Sequence, residues 1–358
     1  MIPKHILTLT FICLNTFNSF GNFTDIKEED SKAPLFSSEE PLNFTLIVDT
    51  RTLKKDESDN PEYSDGQLIL QDESGDKTFD IKVRARGISR RKGEFCSFPP
   101  LKLNFKKNDV KGTVFDGQDK LKLVAYCQDL DLNETYILKE YLVYKFYNCL
   151  TPYSFKVRLA KVTYKDINEK GKDVQRYGFL IEDDDIMAER NGGKISEVLM
   201  SNHDRCERNT LDIFTIFQFM IGNLDWWIAA PVQHNVKVVV LESGDAIPVP
   251  YDFDYCGVVN AKYAVPPEIL PVDNVRQRYF RGYCRLPGTY ELTVDKFNEQ
   301  KDCIYGNVDN FAPLDERDKK DIIKYFDEFY KIVNDPKQLR KQIYDACELD
   351  HKHLHDIN

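Results

Sequence analysis

The stretch Glu134-Thr-Tyr-Ile-Leu-Lys-Glu-Tyr-Leu-Val-Tyr-Lys-Phe-Tyr-Asn-Cys-Leu150 sets Ile137, Leu138, Tyr141, Leu142 and Phe146 at three- and four-residue steps. That is the period of a helix with an apolar face, and Thr151-Pro152 suits its stop. On both sides the period falls to two. Upstream, Phe44, Leu46 and Val48 alternate with Thr45, Ile47 and Asp49, and strand-like runs follow at 67–70, 78–84, 101–105 and 120–124. Downstream, runs at 155–164 and 176–181 flank a polar loop at 165–173. Beyond residue 183 the pattern predicts helices at 195–199, 211–221, 315–333 and 336–348, with a hairpin of 235–241 and 247–251 about Glu242-Ser-Gly-Asp245. Sheet, one helix, sheet and a mainly helical half predict an α+β chain in two lobes, 42–183 and 184–358.

Composition bounds the function. The 358 residues are 42% hydrophobic, enough for a large core, and 23 Phe with 19 Tyr argue against a solvated coil. With 49 basic against 59 acidic side chains, the formal charge of −10 makes nucleic acid a poor partner. After the first twenty residues no apolar run reaches the roughly 20 needed to cross a bilayer, so no integral membrane segment is expected. Lys4 and His5, the apolar stretch 6–14 and Ser19-Phe-Gly21 read as a secretory signal peptide over 1–21, with a buried N-terminal strand as the alternative. Residues 22–41 read as a flexible leader. Eight cysteines remain after Cys13, an even number that permits disulfides in an exported chain. Their spacing assigns no pair, and Cys149 reads equally as a buried thiol.

The densest polar signal is Gly222-Asn-Leu-Asp-Trp-Trp227, then Gln233-His-Asn235, then Pro250-Tyr-Asp-Phe-Asp-Tyr-Cys-Gly257. Asp225 leaves an apolar helix and is either a turn residue or a base in a pocket. The expected hairpin brings Asn235 close to Asp252 or Asp254, and such hard oxygen ligands suit Mg²⁺ or Mn²⁺. Which of Asp252 and Asp254 is the principal metal ligand stays open at this point. Asp183-Asp-Asp185 reads as a solvated helix start.

These segments resemble the spore-coat CotH-type family of secretory or spore-associated atypical protein kinases. Arg84-Ala-Arg-Gly-Ile-Ser-Arg90, Phe98-Pro-Pro-Leu-Lys-Leu-Asn-Phe105, Leu138-Lys-Glu-Tyr-Leu142 and Tyr177-Gly-Phe-Leu-Ile-Glu182 are similar to it in the same order. The resemblance spans about residues 80–285. It implies a two-lobed atypical protein-kinase-like fold and ATP- and Mg²⁺- or Mn²⁺-dependent transfer to hydroxyls of a secreted or envelope protein. Asp225 would orient the acceptor, with Asn235, Asp252 and Asp254 holding metal. Lys102, or Lys122 in its place, would pair with Glu140 to clamp the nucleotide. Glu182 would sit at the adenine-contacting strand, and Arg86 would do a glycine loop's work. Arg278 and Arg281 are candidates for contacting substrate or phosphate, against a helix whose basic face is solvated. Asp225 and Asn235 stand ten residues apart, against about five in ordinary protein kinases, and no GxGxxG is present. Those departures sustain the alternative of an inactive pseudokinase or coat-like scaffold that binds a partner.

Overall fold

The computed structural model describes residues 34–347 apart from 73–74, 94–95 and 201; the expected signal peptide, most of the leader and the end of the last helix lie outside them. The first half of the chain contains β1 (Leu42–Val48), α1 (Thr50–Lys55), β2 (Ser64–Leu70), β3 (Lys77–Ala85), β4 (Leu101–Asn104), β5 (Lys120–Val124), α2 (Asp131–Leu150), β6 (Val157–Asp166) and β7 (Val174–Ile181). The seven strands close in the order β1-β2-β3-β4-β5-β7-β6. Closure is made by a parallel ladder from Leu42↔Ala160 to Val48↔Asp166. The alternation seen in the sequence fills the barrel: Phe44, Leu46, Leu68, Ile81, Val83, Leu103 and Leu121 are almost wholly buried. A closed sheet leaves no edge for another chain to pair with.

The second half contains α3 (Asp184–Arg190), β8 (Gly193–Ile195), α4 (Arg208–Ile221), β9 (Val236–Leu241), β10 (Ala246–Pro250), α5 (Thr289–Glu299), α6 (Lys301–Asp309), α7 (Glu316–Val333) and α8 (Pro336–Leu339). The hairpin of β9 and β10 forms as expected, from Ala246↔Val240 to Pro250↔Val236. A third strand, β8, joins it where a helix at 195–199 is expected. There Ser196 donates its N–H to Val238 O at 2.8 Å, so sheet pairing wins over helix.

The expectation of a two-lobed kinase-like fold with a helical second lobe is therefore overturned. The first half is a closed mixed barrel, and the second half carries a sheet of its own. One continuous apolar core runs from the barrel strands through α2 to α4, α5 and α7. Helix α2 is the reason, being buried nearly all round. Tyr141 and Tyr144 pack on Phe179 of β7, Phe146 meets Phe326 of α7, and Tyr147 meets Phe217 of α4. The end of the expected flexible leader is also packed: Leu35 and Phe36 are buried, and Arg158 of β6 donates to Leu35 O at 3.1 Å.

Three disulfides join the described residues: Cys96–Cys127, Cys149–Cys303 and Cys284–Cys347. Cys149 is thus bonded rather than a buried thiol, whereas Cys206 and Cys256 are buried and free. No helix among the described residues is long and apolar enough to cross a membrane.

Helix α4 ends in a left-handed Gly222 (φ 66°), the usual glycine stop. A Cβ at Gly222 would lie 2.1 Å from Tyr325 Oη, and one at Gly257 would lie 2.4 Å from the same atom. The two glycines also share a hydrogen bond, Gly257 N–H to Gly222 O at 3.0 Å. Gly222→Ala should therefore destabilise by about 2–4 kcal/mol, combining the left-handed backbone cost with overpacking. Removing the hydroxyl in a Tyr325→Phe background should recover part of the loss. Urea midpoints of the four chains check this, and strict additivity would refute the proposed contact.

Candidate active site

Beyond Gly222 the chain does not wander. Asp225 N–H donates to Asn223 Oδ1 at 3.0 Å, and Arg281 Nη1 donates to Leu224 O (2.7 Å) and Trp226 O (3.3 Å), gripping both neighbours of Asp225. Trp227 and His234 exchange backbone hydrogen bonds of 3.0 and 2.8 Å, which closes the intervening residues into a loop. Asn235 then donates its side-chain amide to Asp225 O at 2.8 Å and Asp225 Oδ2 at 3.0 Å. His234 Nε2 lies 3.0 Å from the other carboxylate oxygen, and that hydrogen bond raises the imidazole pKa. The ten-residue interval folds back on itself, so Asp225 and Asn235 touch despite it.

The hairpin delivers the second carboxylate. Tyr251 N–H donates to Asn235 O at 3.1 Å, and the next residue, Asp252, takes a left-handed backbone (φ 61°), as does Asn235 (φ 53°). Two non-glycine residues in this uncommon region mark a segment over-determined by its surroundings. For Asp252 one such constraint is the Tyr144 hydroxyl of α2, which accepts its N–H at 2.9 Å. Asp252 lines a cavity, whereas Asp254 is buried against Arg90 and the Tyr263 hydroxyl (3.1 Å). Of the two aspartates, Asp252 is the one that lines the cavity.

That cavity, about 230 Å³, lies between the barrel and the β9–β10 hairpin. Val124, Phe155, Ile181 and Tyr251 supply an apolar wall, Arg86, Lys122 and Lys237 a cationic one, and Glu140 and Asp252 an acidic one. Lys122 and Lys237 share Asp184 of α3, the latter at 3.2 Å. Burial lowers the pKa of Lys122 despite that partner. Among the described residues Arg86 Nε has no hydrogen-bond partner, an orphan donor of the kind a bound anion satisfies. Glu140, Asp252 and Asp254 can bring carboxylate oxygens within 4.8 Å of one another. Burial foremost, then Asp254, raises the pKa of Asp252, and burial foremost pushes Glu140 up to about 8. Arg90 already pairs with Glu140 and Asp254, and a hard cation at Asp252 would relieve the strain on the remaining carboxylate, so the oxygen donors there fit Mg²⁺ or Mn²⁺.

Several expectations need correction. Lys102 lies directly across from Lys122 in the β4–β5 ladder and is not in the cavity wall; Lys122 is. Lys122 pairs with Asp184 rather than Glu140, whose cationic neighbour is Arg90 at 3.6 Å. Glu182 is buried, with two bonds of 2.9 Å from Arg190 and one of 2.9 Å from Lys156 N–H, so it braces α3 and does not reach the cavity. Arg278 and Arg281 donate to backbone carbonyls and do not line the cavity at Asp252. Arg278 lies over Tyr325 and donates to Met220 O and Tyr325 O, and Arg281 holds the Asp225 loop. Neither sits on a helix, because residues 276–285 form no regular element. Asp184 starts a helix as expected, yet it is ion-paired rather than solvated. Sequence reasoning missed Lys237 and the role of Arg90; the alternation of Val236, Lys237 and Val238 was the available signal for the first.

Glu140 makes the site's electrostatics testable. Its folded-state pKa is raised from 4.5 to about 8, so the stability it contributes is full below about pH 4.5 and lost as pH rises through about 8. In chelator, Glu140→Gln should gain stability relative to the wild type between about pH 5 and about pH 8. Thermal melts across that range check this, and parallel curves would count against a buried carboxyl with a raised pKa.

No family model matches this chain and no curated protein matches it, which leaves the residues around the cavity as the ground for any function.

Proposed function

We propose that this chain is an exported enzyme that transfers the γ-phosphoryl group of ATP to a hydroxyl of a secreted or envelope protein, with Mg²⁺ or Mn²⁺. The observation that carries it is the sorting of the cavity wall into three parts. A flat base suits the apolar side at Phe155, Ile181 and Tyr251, phosphates suit Arg86, Lys122 and Lys237, and a divalent ion suits Asp252 with Asn235 beside it. Phosphoryl transfer asks a protein chiefly for positioning and for neutralisation of charge. When bound, the metal supplies that neutralisation at the transferring oxygens.

The chain's own residues do the rest. Asp225 accepts the proton of the attacking hydroxyl or holds it in line, and its two oxygens are kept in place by His234 and Asn235. Arg86 offers its unpartnered Nε to phosphate oxygens. Asp184, shared by the two lysines, aims them into the cavity without cancelling both charges. Export is supported by the signal-like N-terminus and by three disulfides, which persist in oxidising compartments.

Purified protein with γ-labelled ATP and Mn²⁺ should label itself or an added Ser-rich acceptor. Asp225→Ala should reduce the rate by about 10²–10⁴-fold, and Asp252→Ala should abolish labelling with the loss of metal. Label that survives both changes would sink the assignment. Absence of label together with absence of nucleotide-induced thermal stabilisation would favour a non-catalytic scaffold.

A further inference from the structure

We infer that Arg90 is a built-in cation of the acidic centre, standing where a second divalent ion would otherwise be required, so that the site takes one metal ion and not two. This rests on the phosphoryl-transfer reading, in which two cations commonly share the neutralisation of the transferring group and its ligands.

Three carboxylates converge here, and they are not equivalent. Asp254 is buried, and Arg90 and Tyr263 both act on its Oδ2. Glu140 is buried with the Arg90 guanidinium 3.6 Å away. Asp252 forms no ion pair among the described residues and opens on the cavity. Arg90 has thus already claimed the two inner carboxylates, and the outer one is left for a metal with Asn235 beside it. A guanidinium stays charged at any working pH and spans two carboxylates with its several donors, as a metal ion would.

The fold fixes Arg90 in that position. It sits in the short 3-10 turn Ser89–Arg91 between β3 and β4. Arg91 next to it is anchored on Gly87 O and Ser58 O, and Gly93 N–H donates to Glu57 at 2.9 Å. The Cys96–Cys127 bond then ties the same segment to the end of β5. An arginine that merely neutralised a surface would not need a turn pinned at both ends. Arg90 is a positioning residue in this account, since it acts through Asp254 and Glu140.

The test is Mn²⁺ stoichiometry on the full metal-free chain, followed by the electron paramagnetic resonance of free Mn²⁺, with and without a non-hydrolysable ATP analogue. The wild type and Arg90→Lys should bind one ion each, and Arg90→Met should bind two, because Glu140 and Asp254 are released. If Arg90→Met is unfolded without metal, Mn²⁺ should fold it by taking the vacated place. Two ions on the wild type, one on a folded Arg90→Met, or an Arg90→Met that stays unfolded in Mn²⁺ would each overturn the inference alone. Absence of Mn²⁺ binding by the wild type with and without the analogue would overturn the phosphoryl-transfer reading with it.

Discussion

A carboxylate on a helix buried on nearly every side is the constraint around which this molecule is arranged. Helix α2 supplies core to the barrel and to the C-terminal helices alike, so it has almost no solvated face on which to carry charge. Lys139 and Glu140 are nevertheless charged residues in its middle, and both are buried. Each needs a partner brought from elsewhere, because an unpaired buried charge costs several kcal/mol. Lys139 finds Asp318 of α7 at 2.6 Å. Glu140, the next residue round the helix, meets Arg90 from the turn between β3 and β4, which also pairs with Asp254 from the segment after the β9–β10 hairpin. Pairing these charges therefore draws together three segments far apart in sequence, and the cavity is the space left between them.

The charge balance of that space has a direction. On one side Arg86, Lys122 and Lys237 outnumber Asp184, the acid paired with both lysines. On the other, Glu140, Asp252 and Asp254 outnumber Arg90. Both imbalances sit in surroundings poor in water, where they are felt strongly, and they act in opposite senses on the groups concerned: burial lowers Lys122 and raises Glu140 and Asp252. An occupant that is anionic at one end and accompanied by a divalent cation at the other would satisfy the two ends together. Neither a neutral ligand nor a bare anion would.

Local features were legible in the sequence and long-range ones were not. The apolar helix at 211–221 and the hairpin at 235–251, which sets Asn235 beside the segment that carries Asp252, follow from periodicity and turn chemistry over a few dozen residues. Barrel closure does not. It depends on a parallel pairing of β1 with β6 across more than a hundred residues, and the alternation of Phe44, Leu46 and Val48 is the same in an open sheet. The same limit separates Lys102 from Lys122. Both follow an identical in–out pattern on adjacent strands, and only the position of β5 beside β7 puts one of them at the cavity. The arginines of 276–285 misled for a different reason. A guanidinium bracing backbone carbonyls and one awaiting phosphate look alike until the acceptors are known, and Arg281 proved to support the very loop that carries Asp225.

The disulfides tie down the segments that frame this arrangement. Cys96–Cys127 closes 31 residues and holds the segment bearing Arg86 and Arg90. Cys149–Cys303 closes 154 and fixes the end of α2 to α6, while Cys284–Cys347 closes 63 and secures the arginine-rich segment to the C-terminal helices. In the chain-entropy account, loops of these lengths restrict the unfolded state by roughly 4–5 kcal/mol each. Raised carboxylate pKa values on Glu140 and Asp252 act the other way near neutral pH, since the unfolded chain ionises those groups freely. A centre left under-neutralised until its ligand arrives is destabilising, and cross-links that carry no charge offset that cost without filling the cavity.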